Sequence, residues 1–144
     1  MNLFGMLEVS GSALLAERQR AEVVTSNMAN LETTHTAEGG PYRRQLVVFR
    51  AQRLPQFPML LAGLQPRATR AVRVSQVIAD PAPAIERYQP GHPDADARGY
   101  VAFPAINPVE EMTDLLGAVR AYELNASAVQ ASKAMIQQSL DILR

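Results

Sequence analysis

Apolar residues recur at helical spacing near both ends of the chain, and the middle of the chain lacks this spacing. Near the start an apolar residue returns every seven positions, which predicts a helix with an imperfect coiled-coil stripe. The residues of this first stripe are Leu7, Leu14, Ala21 and Met28. The first zone therefore covers residues 1–32, which contain no proline.

The end of the chain predicts a longer helix with a well-marked beginning. Asn107 suits the N-cap, Pro108 the first helical position, and Glu110 the third position of a capping box. Apolar residues then follow in alternating steps of three and four, interrupted by Lys133. We call this series the heptad stripe; its apolar members are Met112, Leu115, Val119, Tyr122, Ala126, Val129, Ile136, Leu140 and Leu143. A helix over residues 107–144 reaches on the order of 50 Å, and so long a stripe needs a partner helix.

The middle zone, residues 33–106, holds all but one of the ten prolines, so a long helix is excluded there. Runs of β-branched and aromatic residues bounded by Gly and Pro predict strands at residues 45–52, 70–80 and 98–104. Residues 54–66 form an apolar, proline-flanked loop that we interpret as an insertion packing on a neighbour.

These zones predict an α+β fold. The two terminal helices pair as an antiparallel coiled coil, each covering the stripe of the other, and a small β-rich insert lies between them. A chain of 144 residues fits one domain of this kind.

Composition narrows the classes of function. The apolar fraction of 47% excludes a disordered chain. The 14 basic and 14 acidic residues balance, so electrostatic attraction to nucleic acid or to an anionic membrane is not expected. Without cysteine there is no disulfide, thiolate zinc site or cysteine nucleophile. We expect no cleaved signal peptide, since no basic segment precedes a continuous apolar run, and no membrane span.

One short loop offers ligands for a metal. His92, Asp94 and Asp96 lie within five residues, and these side-chain types bind zinc, iron or manganese. The surrounding Pro and Gly residues favour a turn in which the aspartates cap local amides. We therefore expect no metal, no cofactor and no catalytic site; no G-x-S-x-G elbow or paired acid–base carboxylates are present.

Three basic residues leave alternatives open. Arg43 and Arg44 suit a solvated or ion-paired strand edge, an interface, or a site for phosphate or carboxylate. Lys133 either packs its stem with the ammonium in solvent, which we favour, or pairs across the helices and sets their register.

Two asparagines, Asn27 and Asn30, stand near the end of the first predicted helix. Asparagine tolerates a left-handed backbone and bonds freed carbonyls, so a helix exit explains part of this pattern. It does not explain why the residues between them stay small. Small residues with amides permit another chain to approach closely and give it directional hydrogen bonds, which suits packing in an assembly.

Residues 11–36 resemble the N-terminal signature shared by the flagellar rod and hook proteins. The matching positions are Ser26, Asn27, Ala29, Asn30 and Thr33. Residues 111–143 resemble the C-terminal helix of the same family, whose distinctive positions here are Arg120, Ala121, Tyr122, Glu123 and Asn125. The short chain and its central segments, residues 39–51 and 88–107, are similar to members found in the proximal rod.

This resemblance implies an axial structural role without catalysis. Terminal helices would build the inner coiled-coil tube of the rod, with the β region outside it. The implied partners are its own copies, other rod proteins, basal-body ring and rod-adaptor proteins and the flagellar type III export apparatus, with no nucleic acid or small-molecule substrate. The implied location is the basal-body rod spanning the periplasm, and we hypothesise that both terminal zones fold only on assembly.

The stripes and the two family elements together give the residues that we expect to contact neighbouring chains. They are Leu7, Leu14, Asn27, Met28, Asn30, Thr33, Met112, Leu115, Val119, Arg120, Tyr122, Asn125, Val129, Ile136 and Leu140. Three alternatives remain: a sibling rod or hook protein, a metal-dependent hydrolase using the His92 loop, and a generic coiled-coil adaptor that needs neither asparagine.

Overall fold

The fold is α+β, with a long helix at each end of a β-rich insert, as the sequence predicts. The computed structural model describes residues 3–53 and 70–142. In chain order its elements are α1 (Leu3–Ala29), β1 (Gln45–Arg53), β2 (Arg70–Ala79), β3 (Ile85–Tyr88), β4 (Tyr100–Phe103) and α2 (Pro108–Ile142). The apolar loop predicted at residues 54–66 and the last member of the heptad stripe, Leu143, lie outside the described residues.

The start of α2 confirms the predicted cap. The side-chain oxygen of Asn107 accepts a hydrogen bond from the backbone amide of Val109 at 3.1 Å, and Pro108 occupies the first helical position. The Glu110 carboxylate accepts from the side-chain amide of Asn107 at 3.2 Å, rather than from its backbone amide as in a standard capping box.

The insert contains two sheets of two strands each. β1 pairs with β2, and β3 pairs antiparallel with β4, with Ile85 opposite Phe103 and Tyr88 opposite Tyr100. The sequence predicts β1, β2 and β4. It does not predict β3, because all four residues of this strand are exposed and their order carries no alternation of apolar and polar positions.

The described chain divides into two compact units, and both helices contribute to each. The first unit contains α1 as far as Gln19, the end of β1, the start of β2, and α2 from Gly117 onward. Among its described residues, the buried ones are small and include Ala16, Ala71, Ala118 and Ser132. The second unit contains the rest of both helices and of β1 and β2, together with β3 and β4.

The core of the second unit lies on β4 and the turn that follows it. Val101, Phe103 and Ile106 are buried there, and the guanidinium carbon of Arg87 lies 4.8 Å from the centre of the Phe103 ring. These units are defined by which residues pack together, and each contains separate stretches of the chain. The three predicted zones are continuous stretches of sequence, so the units do not test them and the zones remain a prediction. Within the part of the chain that the structure describes, no helix is long and apolar enough to span a membrane.

Candidate functional site

The side chain of Asn27 makes four hydrogen bonds within the second unit. Only 1% of its surface is exposed. Its side-chain nitrogen donates to the carbonyl of Gln45 at 2.9 Å and to a carboxylate oxygen of Glu111 at 3.0 Å. Its side-chain oxygen accepts from the Gln45 amide at 2.9 Å and from the Tyr42 hydroxyl at 3.0 Å. Both donors and both acceptor positions of the amide are therefore used within the chain.

The geometry joins three elements at one residue. Asn27 lies in the last turns of α1, Gln45 is the first residue of β1, and Glu111 lies in the first turn of α2. By bonding both the amide and the carbonyl of Gln45, the Asn27 side chain acts like the peptide group of a neighbouring strand. We call Asn27, Tyr42, Arg44, Gln45 and Glu111 the Asn27 network.

Glu111 is the buried charge of this network, with 1% of its surface exposed. Arg44 neutralises it through a contact of 2.6 Å between Nε and Oε1. A buried carboxylate is tolerated only when it is paired and hydrogen-bonded, and Arg44 and Asn27 supply both requirements. The ion-paired interpretation of Arg44 is confirmed, and its guanidinium is directed to protein carboxylates rather than to a phosphate.

Acidic residues surround this pair at the N-terminus of α2, where the helix dipole favours them. Arg44 lies 3.9 Å from both Glu110 and Asp114, and Arg20 of α1 bonds Asp114 at 3.1 Å. Asn27 meets Glu111 while Arg20 meets Asp114, so α1 and α2 run antiparallel within the second unit. The predicted antiparallel pairing is confirmed there.

Asn30 has a different role from Asn27. Its side-chain nitrogen donates to the Ser26 carbonyl at 2.9 Å, and its oxygen accepts from the Thr33 hydroxyl at 3.1 Å. The side chain thus folds back onto the end of α1, as the helix-exit interpretation expects, although the Ser26 carbonyl is not free, because it also accepts from the Asn30 backbone amide at 3.1 Å. For Asn27, by contrast, the amide that we expected to meet another chain is buried within its own chain.

The buried face of α2 is offset from the heptad stripe. Ala118 and Ser132 are each 1% exposed, although neither belongs to the stripe. The offset is constant along the helix, because the buried residues Glu111, Ala118 and Ser132 are also spaced by multiples of seven and each lies one position before a stripe position, about 100° away around the helix. Two stripe members that lie four positions after a buried residue, Leu115 and Ile136, are half-buried, whereas Met112 and Val119 are exposed.

Large apolar residues of α2 point to solvent instead. Leu116 is 57% exposed and Leu124 is 72% exposed, close in sequence to the buried Ala118. We call these the outer apolar residues; they are Val109, Met112, Leu116, Val119, Tyr122, Leu124, Met135, Leu140 and Ile142. In α1, Leu15 is likewise exposed whereas the adjacent Ala16 is buried.

The expected contact residues fall into three groups by exposure. Only Asn27 is buried. The half-buried ones are Leu7, Leu14, Met28, Asn30, Thr33, Leu115, Asn125, Val129 and Ile136. The exposed ones are Met112, Val119, Arg120, Tyr122 and Leu140, and the ammonium-bearing Lys133 is exposed as well.

The His92 loop is a turn. Asp96 accepts from the backbone amides of Arg98 and Tyr100 at 2.8 Å each, and Asp94 accepts from the Thr34 hydroxyl at 2.6 Å. The hydrogen bond from the Tyr100 amide, chiefly, holds the pKa of Asp96 below its ordinary value. Across residues 3–53 and 70–142, no group of three or more metal-ligating side chains is positioned to hold an ion. Asp96 caps local amides, as the turn interpretation requires, whereas Asp94 bonds a hydroxyl 60 positions away in sequence.

Sequence reasoning missed Glu111, Tyr42 and Gln45 as members of the network. Glu111 offered a signal, since it lies four residues before Leu115 and seven before Ala118, on one face of the helix. A charge in line with a buried face indicates a buried partner. Gln45 offered none, because it takes part through its backbone.

Comparisons with known proteins agree on one family. The family model described as "Flagella basal body rod protein" matches residues 7–34, and "Flagellar basal body rod FlgEFG protein C-terminal" matches residues 97–142. Proteins named "Flagellar basal-body rod protein FlgC" are similar over the full length. The one from Borreliella burgdorferi is 40% identical, covering 100% of this chain and 99% of its own. Those from Bacillus subtilis and Salmonella typhimurium are 38% and 35% identical, covering 99% of this chain and 99% and 98% of their own.

Proposed function

Since the chain belongs to the FlgC family of flagellar basal-body rod proteins and is a structural component of the rod, we propose that its terminal helices build the helical drive shaft of the proximal rod. This shaft transmits torque from the motor to the hook. The family places the chain in the basal body, in association with other rod components.

The arrangement of side chains on α2 carries the proposal. Small residues such as Ala118 and Ser132 are buried within the chain, while the outer apolar residues remain exposed to water. An apolar residue of this size gains roughly 1.5–3 kcal/mol on full burial. Because a single chain leaves so many of them exposed, its helices gain this stabilisation only against other chains.

The way in which such chains join decides the shape of the product. A contact between two different surfaces, repeated from copy to copy without closing, produces a helical filament. We propose that the exposed members of the expected contact set, from Met112 to Leu140, contact neighbouring rod subunits directly. The half-buried members line the edges of these contacts, and Asn27 acts from inside the chain.

The remaining features of the proposal rest on the family. Residues 1–32 and 107–144 form the tube, and residues 33–106 lie outside it. The partners include the chain's own copies, basal-body ring and rod-adaptor proteins, and the type III export apparatus. The rod spans the periplasm, the chain reaches it without a cleaved signal peptide, and the role is structural rather than catalytic. No observation favours the hydrolase alternative.

The test replaces one outer apolar residue by a polar one. Leu116→Asn should change the free energy of unfolding by less than about 0.5 kcal/mol, because Leu116 is already exposed. If Leu116 is buried in the rod, the variant should lower the amount of this chain in purified basal bodies about tenfold or more. Quantitative mass spectrometry of basal bodies from cells producing only the variant measures this amount.

Two variants control the test. Thr113→Asn introduces the same residue at a polar, exposed position one turn away, and it should assemble normally. Ala118→Leu overfills a position that is buried within the chain and should lower the amount in basal bodies through internal packing rather than through a contact with a neighbour. Normal amounts of the Leu116→Asn chain in basal bodies would refute the proposed role of the outer residues.

A further inference from the structure

In the Asn27 network every donor and acceptor of the Asn27 side chain has a partner within the chain. A fold can be stable without so specific an arrangement. Four hydrogen bonds meet on one amide, and two of them go to the backbone of the same residue, Gln45. When every group of a buried polar network has a hydrogen-bond partner, the network specifies one arrangement of the chain. When some groups lack a partner, the network lowers the stability of the fold. Asn27 thus favours one arrangement of three elements over near alternatives.

We propose that Asn27 is a positioning residue for rod assembly: it fixes the end of α1, the start of β1 and the start of α2 in the one arrangement that presents the outer apolar residues correctly. This inference rests on the proposed function of those residues. A slip of α2 by one residue relative to α1 would rotate its side chains by about 100° and shift them by about 1.5 Å. Leu116 would then face another direction.

The chemistry of the site explains why aspartate, glutamine or alanine at position 27 could not make the same set of hydrogen bonds. Aspartate keeps the acceptors for Tyr42 and the Gln45 amide but loses both donors, and it sets a second carboxylate 3.0 Å from Glu111. Glutamine is longer by one methylene and overfills a buried position. Alanine leaves the Gln45 backbone and one oxygen of Glu111 without these partners.

The test exchanges the two ends of one hydrogen bond. In full-length chains, Asn27→Asp and Glu111→Gln should each lower the amount of chain in purified basal bodies about tenfold. The double variant Asn27→Asp with Glu111→Gln restores a donor opposite an acceptor and keeps the net charge. Because the Gln45 carbonyl still lacks its donor, the double variant should recover part of the loss, about threefold above either single variant, which a loss of side-chain volume or of charge alone would not produce.

A matched variant separates positioning from stability. Val101 is buried in β4 and is no member of the network, so Val101→Ala destabilises the chain without altering the hydrogen bonds. Compared at temperatures where the isolated chains are equally folded, Val101→Ala should assemble normally and Asn27→Asp should not. Should Asn27→Asp fail to fold at all, Tyr42→Phe removes the 3.0 Å bond to the Asn27 oxygen, together with a weaker 3.5 Å contact to the Ser26 hydroxyl, and should lower incorporation about threefold.

The outcomes are distinct. Recovery by the double variant, with normal assembly of Val101→Ala, supports the inference. An unrecovered double variant, equal impairment of Val101→Ala, or unaltered incorporation of Tyr42→Phe overturns it. In each of these cases an impaired Leu116→Asn chain would still uphold the proposed function, whereas normal assembly of Leu116→Asn would refute that function independently.

Discussion

Gly99 closes the turn before β4, and its replacement by alanine should weaken the β3–β4 hairpin. Its backbone has a φ of +84°, a region that residues with a side chain rarely adopt. A Cβ at this position would lie 2.9 Å from Cε2 of Tyr88 and 3.2 Å from Cβ of Pro90. Alanine at this position therefore lowers the stability of the hairpin in two ways. The left-handed backbone is unfavourable for it, and its Cβ approaches Tyr88 and Pro90 too closely.

Two other glycines separate these costs. Gly40 has a φ of +74° but, apart from its two chain neighbours, no residue comes within 4 Å of an added Cβ. Gly91 has no positive φ and the same open space around it. Gly91→Ala should be neutral or stabilise the chain by up to about 1 kcal/mol, since alanine restricts the unfolded chain. Gly40→Ala should cost about 1 kcal/mol, because the left-handed backbone costs roughly 1–2 kcal/mol and the restricted unfolded chain offsets part of it.

Gly99→Ala should cost about 2 kcal/mol. Tyr88 must move away, and it then loses its edge contact with Tyr100, whose ring centre lies 5.4 Å from its own. Such a contact contributes about 0.5–1.5 kcal/mol, which adds to the backbone cost found at Gly40.

Native-state hydrogen exchange can measure these differences as local opening free energies. The reporter amides are those of Gln89 and Asp96, which bond the carbonyls of Gly99 and Tyr100. Urea unfolding gives the corresponding global values. If Gly99→Ala costs no more than Gly40→Ala, the close approach of Tyr88 has no energetic weight and the reasoning fails.

Two further predictions concern α2 and the His92 loop. In dilute isolated chains, amides from Val119 to Leu140 should exchange quickly, because the outer residues there have no partner chain; strong protection by hydrogen-exchange mass spectrometry would contradict folding on assembly. Asp94→Asn with Asp96→Asn should leave swimming in soft agar intact, while a metal-dependent hydrolase would lose its activity. Because the folded-state pKa of Asp96 is lowered, its contribution to hairpin stability is present above about pH 4 and lost as pH falls; exchange measured at pH 3 and pH 5 should show this dependence in the parent chain and not in the variant.

Most of the fold could be predicted from patterns among residues that are close together in the sequence. The cap at Asn107 and the strands β1, β2 and β4 were predictable because each depends on residues adjacent in sequence. The face of α2 that is buried within the chain was harder to predict, because its residues Ala118 and Ser132 are small and lie one position before the apolar stripe.

The Asn27 network was beyond local reasoning. Asn27 bonds Glu111 across 84 positions of sequence and Gln45 across 18. A sequence shows that two asparagines are present near a helix end, but their different roles depend on which atoms come within reach after folding. The family resemblance identified these positions as important, and only the structure distinguished a buried amide from a helix exit.

The seven-residue spacing of the heptad stripe has a mechanical consequence. From Met112 to Leu140 the stripe turns by about 80° around an ideal helix, so a neighbouring helix that follows it must wind around α2 with a left-handed sense. A shaft made from such windings has a handedness of its own. Twisting it in one rotational direction tightens the windings, and twisting it in the other loosens them, so its stiffness under load should differ between clockwise and counter-clockwise rotation.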